Sequence, residues 1–210
     1  MATVVERLSK SQQKEDTRRK ILESAAEVFS SKGFHGSVVD DIVRASGTSK
    51  GAVYFYFESK EQIFFSLVEE YAITLAQQMH LTVHRGRGLV AQVEAAVAAL
   101  IRSFHSHPAL ARIVLLDWPN AGVEFQGKRM VLKGMLVEVL RGYLDRAVED
   151  HRIESQDTEL AAYVWIGAIG EVVVRWLNTG RPAPLEDVIA PLTRLLLNSV
   201  GLAPTPSPAT

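Results

Sequence analysis

The chain has 210 residues, 47% hydrophobic and 22% charged, the balance of a folded globular protein and not of a disordered one. It holds no cysteine, which excludes a disulfide framework, a thiolate nucleophile and a cysteine metal site. A formal charge of −1 excludes a generally basic nucleic-acid coat, although residues 1–60 carry ten Lys/Arg against eight Asp/Glu; any DNA site must be local.

In chain order, the opening MATVVERLSKSQQKEDTRRK lacks the apolar core of a signal peptide, and residues 1–14 read as a flexible arm. Ile21, Leu22, Ala25, Ala26 and Phe29 then recur at helical spacing, predicting a helix from Asp16 to Lys32 that stops at Gly33. Ser37 with Asp40 three residues on reads as a capping box for a short helix whose apolar face is Val39, Ile42 and Val43. Gly47 ends it.

The run SKGAVYFYF has strand composition, but a strand needs a partner, and this one lies between two helix starts. Ser49 is an N-cap just before it, and Ser59 with Gln62 forms a second capping box just after it. The run is therefore predicted as a helix of about two turns. Two short helices joined by a turn containing Gly47 make a helix-turn-helix, with the second helix as reader.

The start of that reader carries Lys50 and Gly51 where a helix optimised for stability would carry Asp or Glu. Gly weakens a helix by ~1 kcal/mol relative to Ala. Both residues make sense if phosphate approaches: backbone N–H groups face the anion, Lys50 adds charge and Gly51 permits close approach. Val53 and Phe57 fall on the core face, while Tyr54 and Tyr56 can present hydroxyls outward. Expected at the DNA are Ser37, Thr48, Ser49, Lys50, Gly51, Ala52, Tyr54, Tyr56 and Lys60. Of these, Lys50, Tyr56 and Lys60 are assigned to phosphates; Thr48, Ser49, Gly51 and Ala52 lie nearer the bases.

These residues carry a resemblance to a known family. Phe29 to Phe34 gives Phe-x-x-x-Gly-[Phe/Tyr], Ile42 to Gly47 gives Ile-x-x-x-[Ala/Ser]-Gly, and Ser49 to Gly51 gives [Thr/Ser]-Lys-Gly. Tyr54, Phe57 and Lys60 give Tyr-x-x-Phe-x-x-Lys. Over roughly residues 15–75 the chain resembles the N-terminal domain of the TetR family of bacterial transcriptional regulators. The resemblance implies an all-α chain with a three-helix DNA-binding domain at 15–75, its helix-turn-helix at about 38–57. It also implies a helical ligand-binding and dimerisation domain at 76–202, and a cytoplasmic dimeric repressor released from a palindromic operator by a small apolar or amphipathic molecule. An effector-independent activator or architectural DNA-binding protein is the alternative.

Beyond residue 76 the pattern predicts helices at about 90–106, 109–118, 123–150, 158–178 and 184–202, and a Pro/Ser-rich disordered tail at 203–210. The longest apolar run, Leu160 to Gly170, ends at Glu171, short of the ~20 residues of a membrane span, so no membrane partner is expected. The helix at 158–178 is apolar nearly all round and needs cover on more than one side. Gly167, Gly170 and Val174, with Val188, Leu192, Leu195 and Leu196 of the last helix, are the residues expected at a homodimer interface; packing within one chain is the other use for them. Phe104, Trp118, Phe125, Met130, Met135, Tyr163 and Trp165 could line an effector cavity, or fill an ordinary core. His80 and His84 stand i, i+4, but no third ligand falls at metal spacing. With no catalytic or nucleotide fingerprint in the sequence, no enzyme activity and no cofactor are expected.

Overall fold

The computed structural model describes residues 2–83, 88–118 and 126–202. These form helices joined by turns, with no strand among the described residues. The chain divides into two compact units, Met1–Glu70 and Tyr71–Thr210.

The first unit begins with α1 (Ala2–Gly36), which leaves helical geometry at Gly33, where φ is 72°. The stop expected there is in place, because glycine takes positive φ without a Cβ clash. The start is earlier than expected. The helix already includes residues 2–14 of the stretch read as an arm, which holds no Gly or Pro to stop it. α2 (Val39–Ser46) ends at Gly47 with φ 61°. α3 (Lys50–Tyr56) follows, then α4 (Lys60–Val83), within which the division between the units falls.

The core of this unit is built from Ile21, Ala25 and Phe29 of α1, Ile42 of α2, Val53 and Phe57 at α3, and Ile63 and Phe64 of α4. The ring of Phe64 lies 5.6 Å from Phe29 and 4.8 Å from Phe34, in edge-on and tilted contacts favoured by the ring quadrupoles. Arg18 of α1 lays its guanidinium 5.6 Å from the Phe57 ring and pairs with Glu70.

In the second unit α5 (Leu89–Ser106) leads through His107 into α6 (Pro108–Arg112), and the chain then widens into a π-helical turn over Ile113–Asp117. α7 (Gln126–Glu149) and α8 (Thr158–Thr179) follow. A 3₁₀ turn at Leu185–Val188 enters α9 (Ile189–Ser199). One continuous core joins Leu75, Val97, Leu100, Leu140, Trp165, Ile169 and Leu196.

α8 corrects the membrane argument made from the apolar run alone. Taken whole, the helix is long and apolar enough to cross a membrane, and only 22% of that stretch is buried in this chain. Ala162, Trp165, Ile169 and Val173 face the core, whereas Leu160 and Val164 are 60% and 55% exposed. Gly167 continues the exposed line. The residues expected at a dimer interface divide in the same way. Leu195 is 67% exposed and Val174 and Val188 are half-buried, but Leu192 and Leu196 belong to the chain's own core. Leu192, Leu196 and Val200 recur every four residues and share one buried line, a phase that the grouping of Leu192 with Leu195 misses.

Candidate nucleic-acid interface

The expected cap of α2 is displaced by one residue. Ser37 is buried, and its hydroxyl donates to the Phe34 carbonyl at 2.8 Å, so it is a hinge residue between α1 and α2 and not an exposed contact. Val38 is the N-cap, and the Asp41 carboxylate, not Asp40, accepts the Val38 N–H at 3.2 Å. Asp41 also receives Lys32 at 2.7 Å and Arg44 at 2.5 Å. The Lys32 hydrogen bond, followed by the Val38 N–H, holds the Asp41 carboxyl below the usual carboxylate range. Displacing the box leaves Asp40 free to face the next helix.

The turn into the reader is closely tied. Ser46 and Thr48 share a hydroxyl hydrogen bond of 2.7 Å, and the Thr48 N–H donates to the Ser46 hydroxyl at 3.4 Å. Ser49 caps α3 as expected, its hydroxyl accepting the Ala52 N–H at 3.1 Å. The aromatic run is helical, and Val53 and Phe57 enter the core as expected. Ser49, Lys50, Gly51 and Tyr54 are exposed; Thr48, Ala52 and Tyr56 are half-buried beside them. Seven of the nine expected contacts thus come together around one turn and one helix.

Lys50 is not idle in the free protein. Its ammonium lies 2.8 Å from Asp40, an ion pair that raises the Lys50 pKa. Lys60, expected at a phosphate, donates to the carbonyls of Phe34 and Ser37 at 2.7 and 2.9 Å and lies 4.3 Å from the Phe34 ring. Two of its three donors are committed there, tying the end of α1 to the start of α4. Ser59 begins α4 as expected, accepting the Gln62 N–H at 3.2 Å, but the Gln62 side chain returns to the Glu58 N–H.

Phe55 is absent from the expected contacts, yet it is 68% exposed, more than Tyr54 at 45%. The signal was present in the spacing. A residue midway between Val53 and Phe57 on a helix lies opposite the face those two bury.

The residues expected around an effector are not gathered in the same way. Phe104, Trp118 and Trp165 are buried, and the Trp165 indole donates to the Ser199 hydroxyl at 3.1 Å. Tyr163 and Met135 are half-buried, Met130 is 66% exposed, and Phe125 lies outside the described residues, as does His84. A cleft of about 790 Å³ lies elsewhere, between the end of α7 and the end of α9, lined by Val148, Ile153, Gln156 and Val200 among others. Large aromatics serve a helical core as well as a cavity, so residue type alone does not separate the two.

Residues 21–67 match the family model for "Bacterial regulatory proteins, tetR family". The fatty acid metabolism regulator protein of Bacillus subtilis is 27% identical over 193 residues, spanning 90% of this chain and 97% of that one. Among solved structures, the fatty acid degradation regulator FadR of Bacillus halodurans superposes with a TM-score of 0.84 at 22% identity, over 88% of this chain and 96% of that one. FadR of Bacillus subtilis in complex with stearoyl-CoA gives 0.81 at 22% identity, over 89% and 99%. With a helix-turn-helix whose turn, cap and reader are all in place, the chain is a DNA-binding transcriptional regulator whose residues 21–67 form a DNA-binding domain of the tetR type.

Proposed function

We propose that the chain is a cytoplasmic repressor that binds a near-palindromic operator as a homodimer and is released by a fatty acyl thioester or a similar long amphipathic molecule. The observation that carries the DNA part is α3, with Ser49, Lys50, Gly51 and Tyr54 exposed on a helix anchored by Val53 and Phe57. One such helix covers few base pairs, so useful affinity needs two copies at fixed spacing.

The exposed line Leu160, Val164 and Gly167 of α8, with Leu195 of α9, supports a second copy as the cover. Among the described residues nothing requires glycine at Gly167 or at the half-buried Gly170: a Cβ at Gly167 meets no atom within 4 Å, and one at Gly170 meets Leu115 at 3.7 Å. Small residues there suit close approach of a partner helix.

The effector class is supported by likeness, since the relative and the two solved structures named above are fatty-acid regulators or FadR proteins, and one is solved with stearoyl-CoA. The test adds stearoyl-CoA to the protein on its operator, with free coenzyme A as control. Release by the acyl thioester alone, with quenching of tryptophan emission, is expected. Saturable quenching that leaves operator affinity unchanged would contradict induction by this class. Retention of the operator with no binding would favour the effector-independent alternative.

A further inference from the structure

We infer that Phe55 reads the C5-methyl group of a thymine in the major groove and is a sequence-determining contact of the α3 reader; the inference rests on the DNA-binding reading above. Val53 and Phe57, 0% and 2% exposed, fix the inward face of α3. At ~100° per residue Phe55 lies about 160° from both, the outermost line of the helix. Gly51 stands one turn earlier on nearly the same line and is exposed as well. The approach that Gly51 leaves open therefore brings a duplex onto Phe55.

The ring is not committed to the fold. It is 68% exposed, touching the edge of Tyr56 at a centroid distance of 5.0 Å, with the Lys14 ammonium 5.5 Å from its centroid. The Lys14 ammonium over the ring, and Lys50 exposed at the start of the same helix, suit a polyanion and not a purely apolar partner. A phenyl group has no donor or acceptor, so it cannot hold a phosphate oxygen. Of the groups that base edges present in the major groove, the thymine methyl is the apolar one, and a Phe contact with it is an established mode of readout. Phe55 thus supplies what the polar neighbours Ser49, Lys50 and Tyr54 cannot: discrimination of thymine from cytosine without a hydrogen bond.

The full-length protein is used to select a duplex from a random pool. Each thymine of one selected half-site is then replaced singly by uracil, which removes only the methyl. Affinities are measured for wild type, Phe55→Ala and Phe55→Leu. At one thymine, uracil should weaken the wild type about fourfold, ~0.8 kcal/mol, the worth of one buried methyl-sized group. The same replacement should cost Phe55→Ala nothing, while Phe55→Leu keeps most of the effect. Because the ring is exposed and touches no phosphate, melting temperature and salt slope should be unchanged in both variants. Uracil replacements that cost Phe55→Ala as much as wild type, or cost wild type nothing, would overturn the inference. A wild type that enriches no duplex would instead overturn the DNA-binding reading, and this one with it.

Discussion

The Lys60 ammonium, with donors on Phe34 and Ser37, acts first as a clamp within the first unit. Lys60→Met keeps the stem and removes the donors. It should cost about 2 kcal/mol, the usual worth of a charged hydrogen bond, and lower the melting temperature by ~4–8 °C. The salt dependence of DNA binding should stay that of wild type; a slope reduced by ~1 would return Lys60 to a phosphate. Asp40 makes the opposite case. Its pair with Lys50 is exposed and adds little to stability, but phosphate must displace or outcompete it. Asp40→Asn should therefore tighten binding to random DNA more than to the operator, lowering the specificity ratio in anisotropy titrations. Equal affinities for Asp40→Asn and wild type on random DNA would show that the pair does not compete. Asp41 gives a pH signature. Its folded pKa lies below 3.8, so its contribution is present above that value and lost as pH falls through the folded pKa. Asp41→Asn should be less stable than wild type at pH 7 and approach it below pH 3.8; a gap constant with pH would contradict the Lys32–Asp41–Arg44 account.

At the scale of elements, much of the architecture was legible because its signals are local. Gly33 and Gly47 stop helices by positive φ, and Ser49 and Ser59 start them by accepting N–H groups three residues on. None of these needs tertiary context. The misplaced cap at Ser37 did: Ser37 and Asp40 satisfy the pattern, but Lys32 of α1 reaches Asp41 through a contact between helices that spacing cannot show. The phase of α9 failed for a related reason, since Leu192 and Leu195 are equally apolar and only packing decides that one is buried and the other 67% exposed. The aromatics of the second unit were the least legible, because their composition fits a core and a cavity equally. The corrected faces change the test of assembly. Leu192→Arg would damage the core of a single chain, whereas Val164→Arg and Leu195→Arg alter exposed positions. These two should leave helix content intact while giving monomers in sedimentation and weakening operator binding more than tenfold. Dimers that persist in both variants would place the interface on another face.

For the whole molecule, a reader with few contacts needs the second copy that the proposed dimer supplies. In the proposed dimer, two-fold symmetry would make the target a near-palindrome with half-sites ~34 Å apart, or a multiple of that. A ligand releases it only by preferring the dimer form whose readers no longer fit; moving a population from 99:1 to 1:99 takes ~5.5 kcal/mol of such preference. Everything after the first binding event therefore rests on sequence-specific, paired recognition of DNA. The most direct measurement is selection of duplexes from a random pool by the full-length protein, followed by footprinting and mass determination of the complex. The account predicts one enriched near-palindrome protected over both half-sites, with the chain bound in multiples of two. Enrichment of no sequence, or of a single unpaired half-site bound by one chain, would contradict it.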